Sequence, residues 1–392
     1  MLNSFKNKIL KKISLNLKQI RKEIDHIDKK LLDLFQKRMN YSRKVANYKK
    51  GHNQAVFDKN RECKIINKIK ERSLPKYKNS AVLFFSHLMD ISRYFQYDDM
   101  QNYSEQTKSI IKKANENYDL PKDPKVGYFG IEGSYCNKAA LKYFPDREIK
   151  SYKQFSEVFD AVNDGKVDFG VLPIRNSTAG SVNMVYSLLN KNDLYINDII
   201  TLKISHCIAT NKNNKAGIKE VISHYQVLDQ CSNYISNHKY KPTLFNSSAD
   251  AALFVSKNNK QVAAICSKET AVKYGLEIID ENIQNNKENY TRFIVISKNL
   301  YLSKKQNVIS IIVTIPNSTG SLNKLLTNFS VRNVNIIKIE SQPIGDRDFN
   351  VIFYLDFYGN INDKSSINLI NSISFEAENL KFLGCYKEDN NE

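Results

Sequence analysis

A cation stands where an apolar helix seam should continue. Ile20, Ile24, Ile27, Leu31 and Leu34 advance by alternate steps of four and three, a pattern that suits packing on another helix, and the next seam position is Arg38. An unpaired buried charge is costly, so this guanidinium needs a partner such as a bound anion, or a path along which its stem reaches the surface. Lys49 follows eleven residues later, about three turns on and on the same face, at a separation of roughly 16 Å. Two long side chains can close that gap around a small diacid. Arg21 precedes Arg38 by seventeen residues, which places it about 100° round the helix and roughly 25 Å away. It cannot reach the same ligand from the same helix, so any part it plays there comes from a partner subunit.

Two more segments add polar groups. Asp58-Lys59-Asn60-Arg61-Glu62 follows the break at Gly51-His52-Asn53 and opens a helix with Ile65, Ile66 and Ile69 on its apolar face. Asp58 reads equally well as the N-cap of that helix or as a catalytic group. In a third helix the face carrying Phe85, Leu88 and Met89 continues into Ser92 and Gln96, an i, i+4 pair of neutral donors pointing inward. Together these residues describe a cation-rich pocket between helices.

Further along, polar groups gather at the ends of expected strands, where open α/β sheets place ligands. Gly130-Ile-Glu-Gly133-Ser134-Tyr135 lies between a strand and a helix, so its backbone N–H groups are candidates for holding an anion. Pro173-Ile-Arg175-Asn176-Ser177 follows another strand, Ser223-His224 ends a third with Gln230-Cys231 on the next helix, and Asn289-Tyr290-Thr291-Arg292-Phe293 enters a fourth.

The elements that must position these groups fall into three sections. Residues 14–100 show helical periodicity, and the polar stretch 101–123 reads as a linker. From 124 to 303, β-type runs (126–129, 169–172, 262–265, 293–296) alternate with helical segments such as 155–163 and 249–255, the pattern of an α/β sheet domain. Residues 304–392 read strand, helix, strand, strand, helix, strand, a ferredoxin-like α+β plan.

At 392 residues the chain exceeds what one core serves, and 41% hydrophobic residues suffice for several. No stretch approaches the roughly 18 apolar residues of a membrane helix, and the N-terminus lacks a signal-peptide core, so a soluble cytoplasmic protein without membrane association is expected. Six dispersed cysteines form no metal-ligand spacing and read as buried, reduced thiols; no metal or other cofactor is indicated. The net charge of +18 raises nucleic acid as a partner. Its lysines, however, are spread along the whole chain among Asn, Ile and Tyr, as a coding bias toward A and T produces, so no nucleic acid is expected.

Leu17-Lys-Gln-Ile-Arg21-Lys-Glu-Ile-Asp25, Gln36-Lys-Arg38, Asp58-x-x-Arg61-Glu62 and Ser92-x-x-x-Gln96 resemble the all-helical class of chorismate mutase. The resemblance implies that Arg38, and Arg21 from a partner chain, hold the substrate carboxylates. Lys49 and Gln96 would address the ether oxygen and Glu62 the ring hydroxyl, with Asp58, Arg61 and Ser92 in support. The residue types fit: a pericyclic rearrangement needs no nucleophile, only a flexible dianion held in its reactive shape and donors aimed at the oxygen that gains charge.

The segments of the α/β section, above all Thr291-Arg292-Phe293 with Tyr274-Gly275-Leu276, resemble prephenate dehydratase, a family with two α/β lobes and a cleft between them. This resemblance implies that Thr291 is essential for expelling the ring hydroxyl as carbon dioxide leaves. Asn176, Ser223 and Gln230 would bind or polarise the substrate, with Ser177 and Arg292 as further binding groups. Arg175 and Lys268 stand where that family usually has Glu, and Ile131 and Tyr225 where it has Pro. The charge at 175 is expected to adjoin the substrate pocket and to reduce turnover.

Residues 304–392 resemble the ACT regulatory domain of this enzyme. Gly320-Ser321-Leu322-Asn323 stands for Gly-Ala-Leu-Val, and Glu340-Ser341-Gln342-Pro343 for Glu-Ser-Arg-Pro. In the family both segments bind phenylalanine at a dimer interface. The reading is therefore a multidomain homodimer that converts chorismate to prephenate and prephenate to phenylpyruvate, with phenylalanine as effector. The alternative is a mutase whose dehydratase section binds an anion without turning it over.

Overall fold

The computed structural model describes residues 17–388 apart from 101, 117, 213–216, 259–260, 303–304 and 344–350. The expected section boundaries at 14 and 303/304, and the expected strand start at Asn350, lie outside the described residues.

The helical periodicity becomes three helices: α1 (Leu17–Gly51), α2 (Lys59–Arg72) and α3 (Lys78–Met100). Helix α1 ends at the anticipated glycine, and α2 starts at the anticipated cap, where the Asp58 side chain accepts from the Arg61 N–H at 2.9 Å. Helix α1 packs on α3 through Met39, Ser42 and Ala46, spaced by three and four. Among the described residues no helix covers the seam before them: Ile20, Ile24, Ile27, Leu31 and Leu34 are 40–62% exposed.

By its contacts the chain divides into two compact units. The first comprises residues up to Ser104 together with Thr319–Asn333 and Asn368–Glu376, so the helix Ser321–Val331 and the end of the helix Lys364–Glu376 belong with α1–α3. Helix α3 meets them through a Tyr97–Phe375 stack with centroids 4.9 Å apart and a Tyr94 hydroxyl donating to the Lys324 carbonyl at 3.1 Å. An Arg332–Asp98 ion pair at 2.7 Å adds to this packing.

The second unit holds the strands β1 (Val126–Phe129), β2 (Ile149–Tyr152), β3 (Phe169–Asn176), β4 (Gly180–Ser181) and β5 (Tyr195–Lys203). They are followed by β6 (Cys207–Thr210), β7 (Glu220–Ser223), β8 (Lys241–Leu244), β9 (Val262–Cys266), β10 (Glu277–Glu281) and β11 (Tyr290–Ser297). The last four are β12 (Val308–Ile315), β13 (Ile336–Pro343), β14 (Val351–Tyr358) and β15 (Asn379–Tyr386). Three sheets result, ordered β2-β1-β3-β11-β5 with β4 on β3, β10-β6-β9-β7-β8, and β13-β14-β12-β15. The chain leaves the first sheet after β5, builds the second, and returns as β11. Two strand connections therefore cross between these sheets, and they bond to each other: Ile204 N–H to Asn289 O at 2.7 Å and Ile283 N–H to His206 O at 3.1 Å.

The last sheet follows the expected strand and helix order and is antiparallel throughout. Its edge strand β15 approaches β5 so closely that a Cβ on Gly384 would collide with the Ile196 carbonyl, which requires glycine there. Residues 105–115, inside the stretch read as a linker, form a helix that buries Thr107, Ile110 and Ala114. Among the cysteines, Cys63 is exposed on α2 rather than buried, whereas the other five are buried and all six are unpaired. No helix among the described residues is long and apolar enough to cross a membrane.

Candidate active sites

In the first unit, α1 contributes Arg38, Ser42, Val45 and Lys49 to one cavity, a run of steps of four, three and four that keeps them on one face. Asp58, Arg61, Glu62 and Ile65 enter from the start of α2, and Met89, Ser92, Arg93 and Gln96 from α3. The cavity measures about 350 Å³. Seven sequence-predicted residues, Arg38, Lys49, Asp58, Arg61, Glu62, Ser92 and Gln96, are brought together there. Arg21 is not; it lies exposed on α1, several turns before Arg38.

Polar contacts hold these side chains ready. The Arg38 Nη1 donates to the Leu88 carbonyl at 3.0 Å and to Ser92 Oγ, and Ser92 Oγ donates to Leu88 O at 2.7 Å. Gln96 Nε2 donates to Ser42 Oγ at 3.0 Å and to Ser92 O at 3.2 Å, while its Oε1 is buried without a partner. Lys49 Nζ donates to Val56 O and keeps two further N–H donors for a ligand. Burial lowers the Arg38 and Lys49 pKa values; Glu62 opposes this at Arg38, as do Asp58 and Glu62 at Lys49. Of the four cations that line the cavity, Arg93 is taken up by acids, and Arg38, Lys49 and Arg61 remain to meet an anionic ligand beside Asp58 and Glu62.

The second unit joins its predicted residues differently. Thr291 on β11 lies opposite Asn176 on β3, and Asn176 Nδ2 is 2.8 Å from Thr291 Oγ1 and 2.7 Å from Asn289 Oδ1. Asn289 Nδ2 donates to Gln230 Oε1 at 3.1 Å, and Gln230 Oε1 also meets His206 Nε2 at 3.1 Å. A continuous polar chain thus runs from Thr291 to His206 along the two connections between sheets. Because Gln230 Oε1 accepts, His206 Nε2 carries the proton; Nδ1 is buried without a partner, and burial lowers the His206 pKa. Ser223 stays off this chain: it is fully buried and its Oγ donates to Ile265 O at 2.6 Å. Ser177 Oγ accepts from the Tyr290 N–H at 2.9 Å and pins the start of β11. The Gly130–Tyr135 loop spends its amides internally, Gly130 N–H on Tyr152 O, Gly133 N–H on Asn137 Oδ1 and Ser134 N–H on Ile131 O, so those three do not present an anion site.

Arg175 corrects an expectation. It pairs with Arg292 in register, next to the Asn176–Thr291 pair, and successive residues of a strand point to opposite faces. Arg175 and Arg292 line a small cavity with Lys338, Tyr354 and Asp356 on the face away from Asn176 and Thr291, and Arg292 is ion-paired with Glu388. The charge at 175 therefore does not adjoin the Thr291 cluster. Lys268 is matched by Glu281 at 2.8 Å.

The two segments expected to regulate fall one in each unit. Gly320, at φ 89°, is the left-handed residue that starts the helix Ser321–Val331. Leu322 is 38% exposed, and the Asn323 carbonyl accepts from Thr327 Oγ1 at 2.8 Å. Glu340 accepts from Ser181 Oγ at 2.7 Å, and the Gln342 amide is engaged by Asn183 at 3.3 Å and Ser187 at 3.4 Å. Ser341 and Pro343 follow on β13.

Arg93 and His206 join these sites without having been singled out from sequence, and Asn289 figures there only as the start of a strand-end segment. The one signal for Arg93 is the Asp90-x-x-Arg93 pair on α3, and for His206 an imidazole directly before an apolar strand.

The sequence profile of chorismate mutase type II matches residues 20–97, and that of prephenate dehydratase matches residues 126–301. The bifunctional chorismate mutase/prephenate dehydratase of Buchnera aphidicola subsp. Acyrthosiphon pisum is 32% identical over 378 residues, covering 94% of this chain and 96% of that protein. Among solved structures, the prephenate dehydratase of Staphylococcus aureus aligns over 67% of this chain and 100% of its own, with a TM-score of 0.60 and 25% identity. That of Arthrobacter aurescens in complex with L-Phe aligns over 67% and 90%, with a TM-score of 0.63 and 23% identity. With both profiles matched in order and a relative aligned nearly end to end, the chain belongs to the bifunctional chorismate mutase/prephenate dehydratase family.

Proposed function

We propose that this protein converts chorismate to prephenate in the helical cavity and prephenate to phenylpyruvate at the Thr291 cluster, the two reactions lying in sequence toward phenylalanine. The observation that carries the reading is the convergence of Arg38, Lys49, Glu62 and Gln96 from three helices on one cavity. Arg38 holds a substrate carboxylate, Lys49 and Gln96 address the ether oxygen, and Glu62 takes the ring hydroxyl. Asp58, Arg61 and Ser92 support them, Ser92 by its bond to Arg38. Neither reaction requires a metal or organic cofactor.

In the dehydratase, Thr291 donates a hydrogen bond to the leaving hydroxyl, since a hydroxyl of such high pKa is a poor free acid. Asn176 orients Thr291 through their direct contact. Gln230 and Asn289 extend that support, with Ser177 and Ser223 shaping the surroundings, while Arg292, expected as a binding group, faces the other way and pairs with Glu388. The functional sections are 14–100 for the mutase, 124–303 for the dehydratase and 304–392 for an ACT regulatory domain, with 101–123 connecting the first two. The phenylalanine segments of the ACT domain are Gly320–Asn323 and Glu340–Pro343, and with Asn323 and Gln342 in place of Val and Arg the feedback control is weak or lost. A homodimer completes the mutase: the exposed seam Ile20–Leu34 is the surface a second copy covers, and Arg21 lies exposed on the same stretch of α1, beside the seam. The unpaired thiols accord with a cytoplasmic location.

The test uses the full-length protein, following chorismate loss in one assay and phenylpyruvate formation from added prephenate in another. Arg38→Met should lower mutase turnover by about 100-fold or more with dehydratase turnover kept. A mutase unaffected by that change would sink the assignment of the cavity.

A further inference from the structure

Arg93 lines the mutase cavity, yet none of the roles above needs it. It is 4% exposed, and its guanidinium is divided among three acids: Nη1 to Glu62, Nη2 to Asp90, and Nε to Glu376 Oε1 at 3.2 Å. Glu62 faces the cavity, and Asp90 sits one turn before Arg93 on α3. Glu376 is the last residue of the helix Lys364–Glu376, 283 positions away in sequence but in the same compact unit. Its other oxygen accepts from Asn328 Nδ2 at 3.2 Å, and Asn328 Oδ1 accepts from Ser372 Oγ at 2.9 Å. The Phe57 ring lies 5.2 Å from the guanidinium carbon. Each edge of a rigid, forked cation is thus assigned to a different carboxylate.

We infer that Arg93 is a positioning residue that fixes the Glu62 carboxylate in the cavity, and that Glu376 sets the orientation of Arg93, so that a C-terminal helix governs chorismate turnover. The inference rests on the proposed role of Glu62 and deepens it by naming what aims that carboxylate. Three acids compete for one cation. When Glu376 loses its charge or moves, the guanidinium is left to Glu62 and Asp90, turns toward them, and draws Glu62 out of line with the substrate. Burial pushes the Glu376 carboxyl up, and Arg93 and the Asn328 amide oppose this. Arg93 itself is raised: Glu376, Glu62 and Asp90 outweigh the opposing effect of burial.

The experiment is a double-mutant cycle between Glu62→Gln and Glu376→Gln in the full chain, reading mutase kcat and KM, dehydratase rate and thermal midpoint. Glu376→Gln alone should lower mutase kcat/KM about fivefold or more, within the range over which members of one charged network couple, with dehydratase rate held. In the Glu62→Gln background the same change should have almost no effect. A general loosening of the fold would instead act equally in both backgrounds, and that result overturns the inference, as does an unaltered Glu376→Gln enzyme. If Glu376→Gln does not fold, Glu376→Asp, which keeps the charge and shortens the reach, takes its place in the cycle with the same criteria. A parent chain without mutase activity overturns the functional reading itself, and the coupling with it.

Discussion

Arg175→Glu restores the acid that the dehydratase family carries at this position, and the structure predicts that it changes stability rather than chemistry. Arg175 stands beside Arg292 across the β3–β11 ladder and close enough to Lys338 to lower its pKa. Both pairs are like-charged. Reversing residue 175 makes both attractive, and an exposed cross-strand pair is worth about 0.2–1 kcal/mol. Arg175 is exposed, and the Arg292 side chain is 35% exposed and already paired with Glu388, so the total stays near ~1 kcal/mol, a shift of about 2 °C in thermal midpoint. The gain should shrink in high salt, which screens exposed pairs. On the catalytic side, Asn176 and Thr291 point to the opposite face, so phenylpyruvate formation, followed by its ultraviolet absorbance, should stay within about twofold of the parent. A tenfold change in kcat corresponds to about 1.4 kcal/mol of barrier. A change of that size in either direction, with the thermal midpoint unmoved, would refute the placement of Arg175 away from the site.

Three further outcomes are expected. Arg21→Ala and Lys49→Ala should each be nearly inactive as mutases, and mixing them under verified subunit exchange should recover activity, because one heterodimer site is then intact; no recovery would rule out a shared site. Phenylalanine at micromolar concentration should leave the dehydratase rate unchanged, and the double variant Asn323→Val, Gln342→Arg should become sensitive; strong inhibition of the natural protein would contradict this. Lys338 has its pKa lowered, first by burial, with Asp356 and Glu340 opposing, so its charge disfavours the fold at neutral pH, and the penalty is relieved as pH climbs from the lowered folded pKa to the ordinary lysine value. The urea-midpoint advantage of Lys338→Met over the parent should therefore narrow with rising pH, and a constant or widening gap would be inconsistent with a lowered pKa.

The helical cavity was legible because its logic is local. Steps of three and four place Arg38 and Lys49 on one face of α1 and Ser92 and Gln96 on one face of α3, and the sequence states those steps directly. Arg93 was not legible, since one of the groups that define its role, Glu376, lies on a helix far along the chain. His206, and the link from Asn289 to Gln230, escaped for a related reason: each residue sits on a connection between sheets, and only the double crossing brings them to Gln230. The helix at 105–115 had its apolar steps at Thr107, Ile110 and Ala114, but in a stretch polar enough to read as a linker.

Arg175 and the α1 seam show how a correct pattern can yield a wrong neighbour. Residue 175 is adjacent in sequence to Asn176, and adjacency suggests shared surroundings; on a strand it means the reverse, because the pleat sends consecutive side chains to opposite faces. A period of two, applied at that step, would have placed the reversed charge on the face away from Thr291. The seam was read with the right period, and Ile20 through Leu34 do lie along one side of α1, yet no helix among the described residues covers them. Periodicity identifies a face that must be buried and is silent about whose atoms bury it. Arg21 supplies what the period lacks, since the resemblance to chorismate mutase would assign it to the site while it stands too far along α1 to reach the cavity of its own chain. An uncovered apolar stripe and a stranded cation on one helix have a common solution in a second copy, whose α1 would cover the stripe while Arg21 crossed into the facing cavity.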